Sequence, residues 1–335
     1  MIVDCDRHAA VHRYTDLFPY MTHDWRRHFE RDEWLSSVNL GLNHVRVAEQ
    51  FRHDEPEPYV PSGDEFALVL PHQGLAVNGW ADRVAARTFL AALNSYGEDH
   101  WASGTSRPVV VVSPHDAQWS ATEIRRSAAN GKAGGVALPL VPETLGSRTW
   151  DPIYAACTEA GLPLVIHYSG VEGNYLGAAA LSGGAHGSAF ARLTLMPHLA
   201  ESSIASLTFE GAFARFPELQ VLFSGFGFTW LPSLLWRIDR EWRTFRHDVP
   251  WVTSPPSERV ATNMWFTTYP IAEAAARSEW EPGLTDAHRR RLVFGSHAPF
   301  GGDTPAEIQG VLDEDWVRGL MANGAALVGA EVGAR

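Results

Sequence analysis

Short runs of apolar residues recur along the chain, separated by segments of helical character. Eight of these runs have the length of a strand and are rich in β-branched or aromatic residues. Because most of them contain several consecutive apolar residues, they are typical of strands in a parallel sheet covered on both faces. The runs span residues 1–6, 65–72, 107–116, 134–141, 162–170, 219–227, 263–270 and 291–299.

Helix signals lie between the runs. The clearest is DPIYAACTEAGLP, where we predict a helix over residues 151–160 with Asp151 as the N-cap, Pro152 in the first turn and Gly161 at the end. Strands that alternate with helices indicate an α/β fold, and eight such units predict a closed (β/α)8 TIM barrel, with an open doubly wound sheet as the alternative. The other predicted helices span residues 81–96, 121–130, 202–216, 231–246, 284–290 and 305–319.

Two segments do not follow this alternation. Residues 9–64 contain aromatic residues, prolines and an acidic cluster at 54–58, and we predict that they form an excursion after the first strand that caps the barrel. Residues 171–200 are rich in Gly and Ala, which favours a mobile loop. Since one barrel with insertions accounts for the length, residues 1–335 are predicted to form a single domain.

Charge narrows the class of partner. The chain has a formal net charge of −12. Binding to nucleic acid or to an anionic membrane surface would need a basic patch that neutralises phosphates, so both partners are disfavoured. We therefore expect a small-molecule partner.

The cysteines and the N-terminus favour a cytoplasmic protein. Cys5 and Cys157 have no CxxC spacing, so neither a disulfide framework nor a cysteine-based zinc site is indicated, and Cys5 lies within a strand, where we expect it to be inert. No secretory leader is visible, and no apolar run approaches the ~18 residues of a membrane helix.

A P-loop and a nucleophile elbow are also missing from the sequence.

Histidines stand at five of the eight predicted strand ends. In a barrel the carboxyl ends of the strands meet at one rim, where the active site lies. Asp6 and His8 are alternate residues of a strand, so their side chains should project from the same face. We predict that Asp6 and His8 share this rim with histidines from later strands. The five are His8, His72, His115, His167 and His297.

One carboxylate and two imidazoles with an open position suit a divalent metal. We predict that Asp6, His8 and His167 bind Zn²⁺, with Mn²⁺ or Fe²⁺ as alternatives. The opposing interpretation makes Asp6 and His8 part of a solvent-facing turn and His167 a hydrogen-bonded core residue, in which case no metal is bound. His72 is equally compatible with the site and with packing, whereas His115, next to Asp116, favours a structural role.

Several motifs resemble the amidohydrolase-related family, in the branch that includes aminocarboxymuconate-semialdehyde decarboxylase. The resemblance runs from Met1 to Ala330 and implies a barrel with a divalent metal, and by analogy a homodimer. MIVDCDRH resembles the opening strand with its metal pair, and LPLVIHYSG resembles the strand-five histidine segment. The other motifs are GAFARFPELQVLFSGFGFTWLP, NMWFTTYP, GSHAP and MANGAALVGA.

The chain departs from the family pattern at two strand ends. In the family, strand eight carries an aspartate in Gly-Ser-Asp-x-Pro that binds the metal and exchanges a proton, and here His297 takes that place. Strand six usually ends with a histidine or glutamate, whereas this chain has Ser224-Gly225-Phe226-Gly227. An imidazole brings no negative charge to a bound ion, which makes hydrolysis by metal-activated water less favourable.

We therefore predict a metal-dependent lyase or hydrolase, decarboxylase-like, that acts on a small aromatic or unsaturated carboxylic acid. His297 is the predicted acid/base group, and His167 and His72 are further catalytic candidates. Two alternatives stay open, namely a metal-independent cyclase, dehydratase or isomerase, and a non-catalytic ligand-binding homologue. The predicted substrate contacts are Ser224, Phe226 and Tyr269.

Overall fold

Eight parallel strands follow one another around one sheet in chain order. The computed structural model describes residues 1–11, 13–31, 65–80, 82–170, 172, 179–181, 184, 188–271, 277–300 and 302–329. All eight predicted strands are present, each shorter than or shifted from its apolar run by a few residues. The strands are β1 Ile2–Ala9, β2 Glu65–Pro71, β3 Ser106–Val111, β4 Gly135–Ala137, β5 Leu164–Ile166, β6 Val221–Phe223, β7 Met264–Thr267 and β8 Leu292–Val293.

Backbone hydrogen bonds join the first strand to the last. The amide of Cys5 donates to the carbonyl of Phe294 (2.9 Å), and that of His297 donates to the carbonyl of Asp6 (2.8 Å). The amide of His8 donates to the carbonyl of Ala298 (2.8 Å). The fold is therefore a nearly closed (β/α)8 barrel, as predicted, and the loop after β8 is bonded directly to β1.

Helices follow the strands and cover the outside of the barrel. In the part of the chain that the structure describes, no helix is long and apolar enough to cross a membrane. The helices are α1 His23–Arg31, α2 His72–Leu75, α3 Arg83–His100, α4 Ala117–Ala129, α5 Asp151–Ala160, α6 Ala189–Phe209, α7 Ala212–Arg215, α8 Leu231–Phe245, α9 Pro256–Asn263, α10 Arg277–Trp280, α11 Asp286–Arg289, α12 Pro305–Val311 and α13 Glu314–Val328.

Three helix predictions differ from the structure in the N-cap, the start or the continuity of the helix, and four others differ only in their end residues. Helix α5 has Trp150 at its N-cap, one residue before the predicted Asp151, whose carboxylate instead pairs with Arg215 at 2.9 Å. Helix α6 begins at Ala189, inside the predicted loop, and contains Pro197, a residue that normally marks a helix end. The segment 305–319 is split into α12 and α13 because Asp313 accepts from the amide of Trp316 and starts a new helix.

The start of the excursion after β1 packs beside α3. A 3-10 helix spans Tyr14–Tyr20 and is followed by α1. Tyr20 Oη donates to Asp99 Oδ2 at 3.0 Å, and the Tyr14 and Phe89 rings are 6.2 Å apart. Residues 32–64 lie outside the described residues, so the capping role of 9–64 and the single-domain organisation stay predictions. Most of residues 171–187 also lies outside the described residues. The mobile loop predicted over 171–200 is described without interruption only from residue 188, and there the chain is helical from Ala189.

The strands place alternate residues on opposite sides of the barrel wall. Ile166, Phe223 and Phe294 pack with the outer helices in one buried cluster. Val165 and Leu222, which precede Ile166 and Phe223, belong to a second buried cluster on the other side of the wall. Side chains fill the barrel interior, and the active sites of such barrels lie at the carboxyl-terminal rim.

Candidate active site

The carboxyl-terminal rim of the barrel gathers four buried side chains from three strands. β1 supplies Asp6 and His8 on one face, His167 follows the last residue of β5, and His297 lies in the loop after β8. One potential ligand atom from each of the four lies within 4.8 Å of the others. The exposed fraction of each residue is 5% or less. The predicted convergence of these four residues is therefore present in the structure.

The distances among the four side chains are short. His8 Nε2 lies 3.3 Å from Asp6 Oδ1, and His167 Nε2 lies 3.7 Å from the same oxygen. His297 Nδ1 lies 3.4 Å from Asp6 Oδ2 and 3.0 Å from His8 Nε2. Both carboxylate oxygens and one nitrogen of each imidazole thus face a common point.

This arrangement fits one divalent ion. Two ligand atoms that are each ~2.1 Å from an ion lie ~3.0 Å apart at a right angle and ~3.4 Å apart at a tetrahedral angle. The separations in the cluster match that spacing. Asp6 Oδ1, Asp6 Oδ2 and His167 Nε2 are buried and make no regular hydrogen bond within the described ranges. Buried polar atoms without partners are costly, and a cation would satisfy all three.

Electrostatics favour the protonation states that a metal needs. Burial lowers the pKa of His167 to about 3 and also lowers the pKa of His8 below 6.5, so both imidazoles offer lone pairs at neutral pH. Burial alone would raise the pKa of Asp6, but the nearby imidazoles of His297 and His8 hold it well below 3.8. The cluster therefore presents a carboxylate with neutral imidazoles of His8 and His167.

His72 lies beside the cluster and outside the group of four. Its buried ring is 5.4 Å from the His8 ring and 6.4 Å from the His167 ring, measured between centroids. Burial lowers the pKa of His72 well below 6.5, so the imidazole is neutral at physiological pH. His115 is away from this group: its Nε2 lies 3.0 Å from the carbonyl oxygen of Asn78, which fits a structural role.

Aromatic rings surround His297. The Tyr269 ring stacks on it at 4.2 Å with an interplanar angle of 8°, and the His167 ring is also nearly parallel to it, at 5.3 Å and 7°. The Phe300 ring lies 5.2 Å from His8 and 5.0 Å from His72. Of the predicted substrate contacts, Tyr269 therefore reaches the cluster directly. Phe300 was not predicted from the sequence.

The end of β6 shapes the space next to His167. Ser224 is buried, and its hydroxyl makes no hydrogen bond to any described residue. Gly225 has φ of +83°, and a Cβ at this position would lie 2.7 Å from His167 Nε2. Phe226 is fully buried, with its ring 5.8 Å from Tyr168 and 6.5 Å from His167. The missing side chain at Gly225 thus leaves room for the histidine nitrogen.

A second carboxylate fixes the loop that carries His297. Asp4 accepts hydrogen bonds from the Ser296 amide (3.0 Å), the Ser296 hydroxyl (2.5 Å) and the Asp6 amide (3.0 Å). His297 itself has φ of +58°, in the left-handed region. Burial raises the pKa of Asp4 to about 6. The alternation Asp4-x-Asp6-x-His8 was the sequence signal that could have identified Asp4.

Tyr168 contacts two of the imidazoles on their far sides. His167 Nδ1 lies 2.5 Å from the carbonyl oxygen of Tyr168, and His297 Nε2 lies 3.3 Å from Tyr168 Oη. The only sequence signal for this tyrosine is its place directly after His167.

Comparison with protein families agrees with this geometry. The model of the amidohydrolase family matches residues 3–323. The chain belongs to the amidohydrolase family. The resemblance found in its motifs is thereby confirmed, and so is the prediction of an enzyme of the amidohydrolase superfamily. Among curated proteins, no sequence matches this amidohydrolase significantly.

Solved structures share the fold of this amidohydrolase over nearly its whole length. An amidohydrolase of Mycobacterium avium subsp. paratuberculosis is 19% identical, with a TM-score of 0.68 and 98% of each chain covered. The 5-carboxyvanillate decarboxylase of Novosphingobium aromaticivorans, bound to manganese and 4-hydroxy-3-methoxy-5-nitrobenzoic acid, is 17% identical, with a TM-score of 0.67 and coverage of 98% of this chain and 96% of that one.

A third structure is the dihydroxybenzoic acid decarboxylase of a Polaromonas species, with bound manganese and the inhibitor 2-nitroresorcinol. It is 14% identical, with a TM-score of 0.66, and the match covers 99% of this chain and 98% of that one. At these identities the likeness establishes the shared barrel fold.

Proposed function

We propose that this protein is a metal-dependent lyase, decarboxylase-like, acting on a small aromatic or unsaturated carboxylic acid. The observation that carries the proposal is the buried cluster of Asp6, His8, His167 and His297 at the carboxyl-terminal rim. Two structures with the same fold, named as decarboxylases of aromatic acids, contain manganese and an aromatic ligand, which supports the choice of reaction.

Asp6, His8 and His167 would hold the divalent ion, and His297 Nδ1 lies close enough to be a fourth donor. Mixed oxygen and nitrogen donors suit zinc, manganese and iron, and we retain all three as candidates. When bound, the ion supplies a Lewis acid that binds and polarises the oxygen atoms of a carboxylate substrate. Because the cluster carries the single negative charge of Asp6 among these ligands, a divalent cation leaves it net positive, which favours an anionic substrate.

The surroundings of the cluster favour a flat substrate. Tyr269 and Phe300 place aromatic faces beside the histidines, and offset or edge-on packing against such faces stabilises an aromatic ring. The buried Ser224 hydroxyl, which bonds to no described residue, is a further candidate substrate contact. The Phe226 ring packs against the Tyr168 ring, so Phe226 would act by shaping the pocket wall.

Loss of carbon dioxide leaves an electron pair on the substrate carbon, which must then take up a proton. We assign this proton transfer to His297, the residue at the position of the family aspartate. It can carry out this transfer only while its Nδ1, which faces the cluster, is not bound to the ion. His72 is neutral because burial lowers its pKa, so it can accept a proton or a hydrogen bond but is no cationic acid.

The test combines metal analysis with an assay for carbon dioxide release. The protein is purified without added metal, analysed for transition metals, and assayed with a panel of hydroxybenzoic acids before and after chelation and reloading with Mn²⁺ or Zn²⁺. We expect about one equivalent of metal and activity that chelation removes and reloading restores.

Less than about a tenth of an equivalent after loading would contradict the proposal. Turnover that chelators leave unchanged would favour the metal-independent enzyme. Ligand binding without any conversion would favour the non-catalytic homologue.

A further inference from the structure

Tyr168 connects two histidines that come from different strands. Each of these imidazoles has one nitrogen toward the cluster and the other toward Tyr168. His167 directs Nε2 at Asp6 and places Nδ1 2.5 Å from the Tyr168 carbonyl oxygen. His297 directs Nδ1 at Asp6 and places Nε2 3.3 Å from the Tyr168 hydroxyl.

A histidine that binds a metal needs a partner for its other nitrogen. The neutral ring gives its lone pair to the ion and carries its proton on the far nitrogen. A hydrogen-bond acceptor at that nitrogen fixes the tautomer and the ring orientation, and its loss weakens metal binding. In this protein the carbonyl and the hydroxyl of one residue occupy both acceptor positions.

Stacking alone cannot orient the ring of His297. The rings of Tyr269 and His167 are nearly parallel to it, at 4.2 and 5.3 Å, and thereby favour one plane for the imidazole. A half-turn about the Cβ–Cγ bond would return the ring to the same plane, with similar stacking, but would present carbon in place of nitrogen to the cluster. A hydrogen bond to Nε2 distinguishes the two orientations, and the Tyr168 hydroxyl is in the position to make it.

We propose that Tyr168 is a positioning residue of the metal centre, whose hydroxyl accepts from His297 Nε2 and so directs the Nδ1 lone pair at the ion. This inference rests on the proposed function only in that the cluster binds a divalent cation. The resemblance places an aspartate at position 297, and a carboxylate has no tautomer to select. The requirement for Tyr168 therefore arises with the histidine of this chain.

The test measures metal affinity in Tyr168→Phe, which removes the hydroxyl and keeps the ring and the carbonyl. Apoprotein is titrated with Mn²⁺ and Zn²⁺ in competition with a chromogenic chelator. We expect binding about 10–100-fold weaker than in the wild type. Tyr154→Phe is the matched control, because Tyr154 donates to the Leu145 carbonyl from α5, on the outside of the barrel, and its loss should leave the affinity unchanged.

The same substitution in the His297→Asp variant separates a positioning role of Tyr168 from a general structural effect. In His297→Asp the tyrosine has no imidazole to orient, so adding Tyr168→Phe should not weaken metal binding further. Equal affinities of the wild type and Tyr168→Phe would overturn the inference and leave the proposed function intact. An equal loss in the His297→Asp background would also overturn it, and a wild type that binds no metal would overturn both.

A spectroscopic measurement on the wild type does not depend on whether Tyr168→Phe folds. In zinc-loaded wild-type protein with ¹⁵N-labelled histidine, the ring nitrogens of His297 are assigned by comparison with His297→Asp. We expect the proton on Nε2 and the metal-bound signature on Nδ1. The opposite pattern would overturn the inference.

Discussion

Gly225 shows how a missing side chain contributes to the site. Its φ of +83° and the 2.7 Å between a Cβ there and His167 Nε2 leave no room for an alanine unless the imidazole moves. We expect Gly225→Ala to lose metal binding and to lower the free energy of unfolding by at least roughly 1–2 kcal/mol through backbone strain. Chelator competition and urea unfolding measure the two effects.

Gly161→Ala is the matched control for Gly225→Ala. Gly161 ends α5 with φ of +64°, and a Cβ at this position meets no atom within 4 Å. The control should therefore show the loss in stability while it keeps the wild-type metal affinity. A Gly225→Ala protein that binds metal as tightly as the control would contradict the prediction.

Ser296 gives a prediction that depends on pH. In Ser296→Ala the buried Asp4 carboxylate loses its hydroxyl donor, so we expect a loss of about 1–3 kcal/mol in the free energy of unfolding. Burial raises the pKa of folded Asp4 to about 6, above its ordinary 3.8. Protonated Asp4 therefore favours the folded state, and stability from this group falls as pH rises from 3.8 through about 6.

Removing a donor to the charged form raises the pKa of folded Asp4 further. The loss in Ser296→Ala should thus be larger at about pH 7.5 than at about pH 5, where Asp4 is mostly protonated when folded. Urea unfolding of both proteins at the two pH values provides the comparison. A loss that does not change with pH would mean that the hydroxyl does not stabilise the carboxylate.

At the scale of residues, the sequence predicted the convergence of Asp6, His8, His167 and His297, because each lies at or just after a strand end. It could not predict Tyr168, since its role depends on side-chain directions in a loop that has no periodicity. For the same reason the sequence could not predict the left-handed backbone conformation of His297. The roles assigned to these residues stay predictions.

Among the elements, the strands were predicted better than the helices. Buried parallel strands are continuous apolar runs, so all eight could be recognised. Their ends were less certain: β1 continues to Ala9 because β2 pairs with it as far as Pro71. Helix α6 was placed too late because its first residues belong to the Gly- and Ala-rich segment 171–200 that was assigned to a loop.

The two faces of β1 lead to a prediction about the cysteines. Asp6 points toward the site, whereas Cys5, its neighbour, is buried toward α13, with its Sγ 3.3 Å from the position of a Cβ on Gly324. Burial raises the pKa of both Cys5 and Cys157. A disulfide reagent such as dithionitrobenzoate should modify neither thiol in the native protein and both in denaturant. Rapid native modification of Cys5 would contradict its placement in the barrel wall.

For the whole molecule, the number of strand and helix units and the apolar strands were enough to predict the barrel. The structure adds its closure, in which backbone bonds from the loop after β8 reach β1. The cap formed by residues 9–64 and the homodimer implied by the resemblance stay predictions.

Because three strands contribute to the cluster, metal binding should stabilise the entire barrel. A ligand that binds only the folded state at 100 times its dissociation constant adds about 2.7 kcal/mol. We expect the melting temperature to rise with Mn²⁺ or Zn²⁺ concentration in the wild type and to stay constant in His8→Ala. Differential scanning fluorimetry of chelated and reloaded protein measures this. Identical shifts in both proteins would mean that the metal acts elsewhere.

The left-handed backbone at position 297 has a consequence for how this site diverged. Asp, Asn and His occupy that conformation more readily than other residues with a side chain, so an exchange of aspartate for histidine needs no new path of the chain. Aspartate and histidine codons also differ by a single nucleotide. One substitution could therefore replace a carboxylate with an imidazole at the rim while the barrel below it was inherited unchanged.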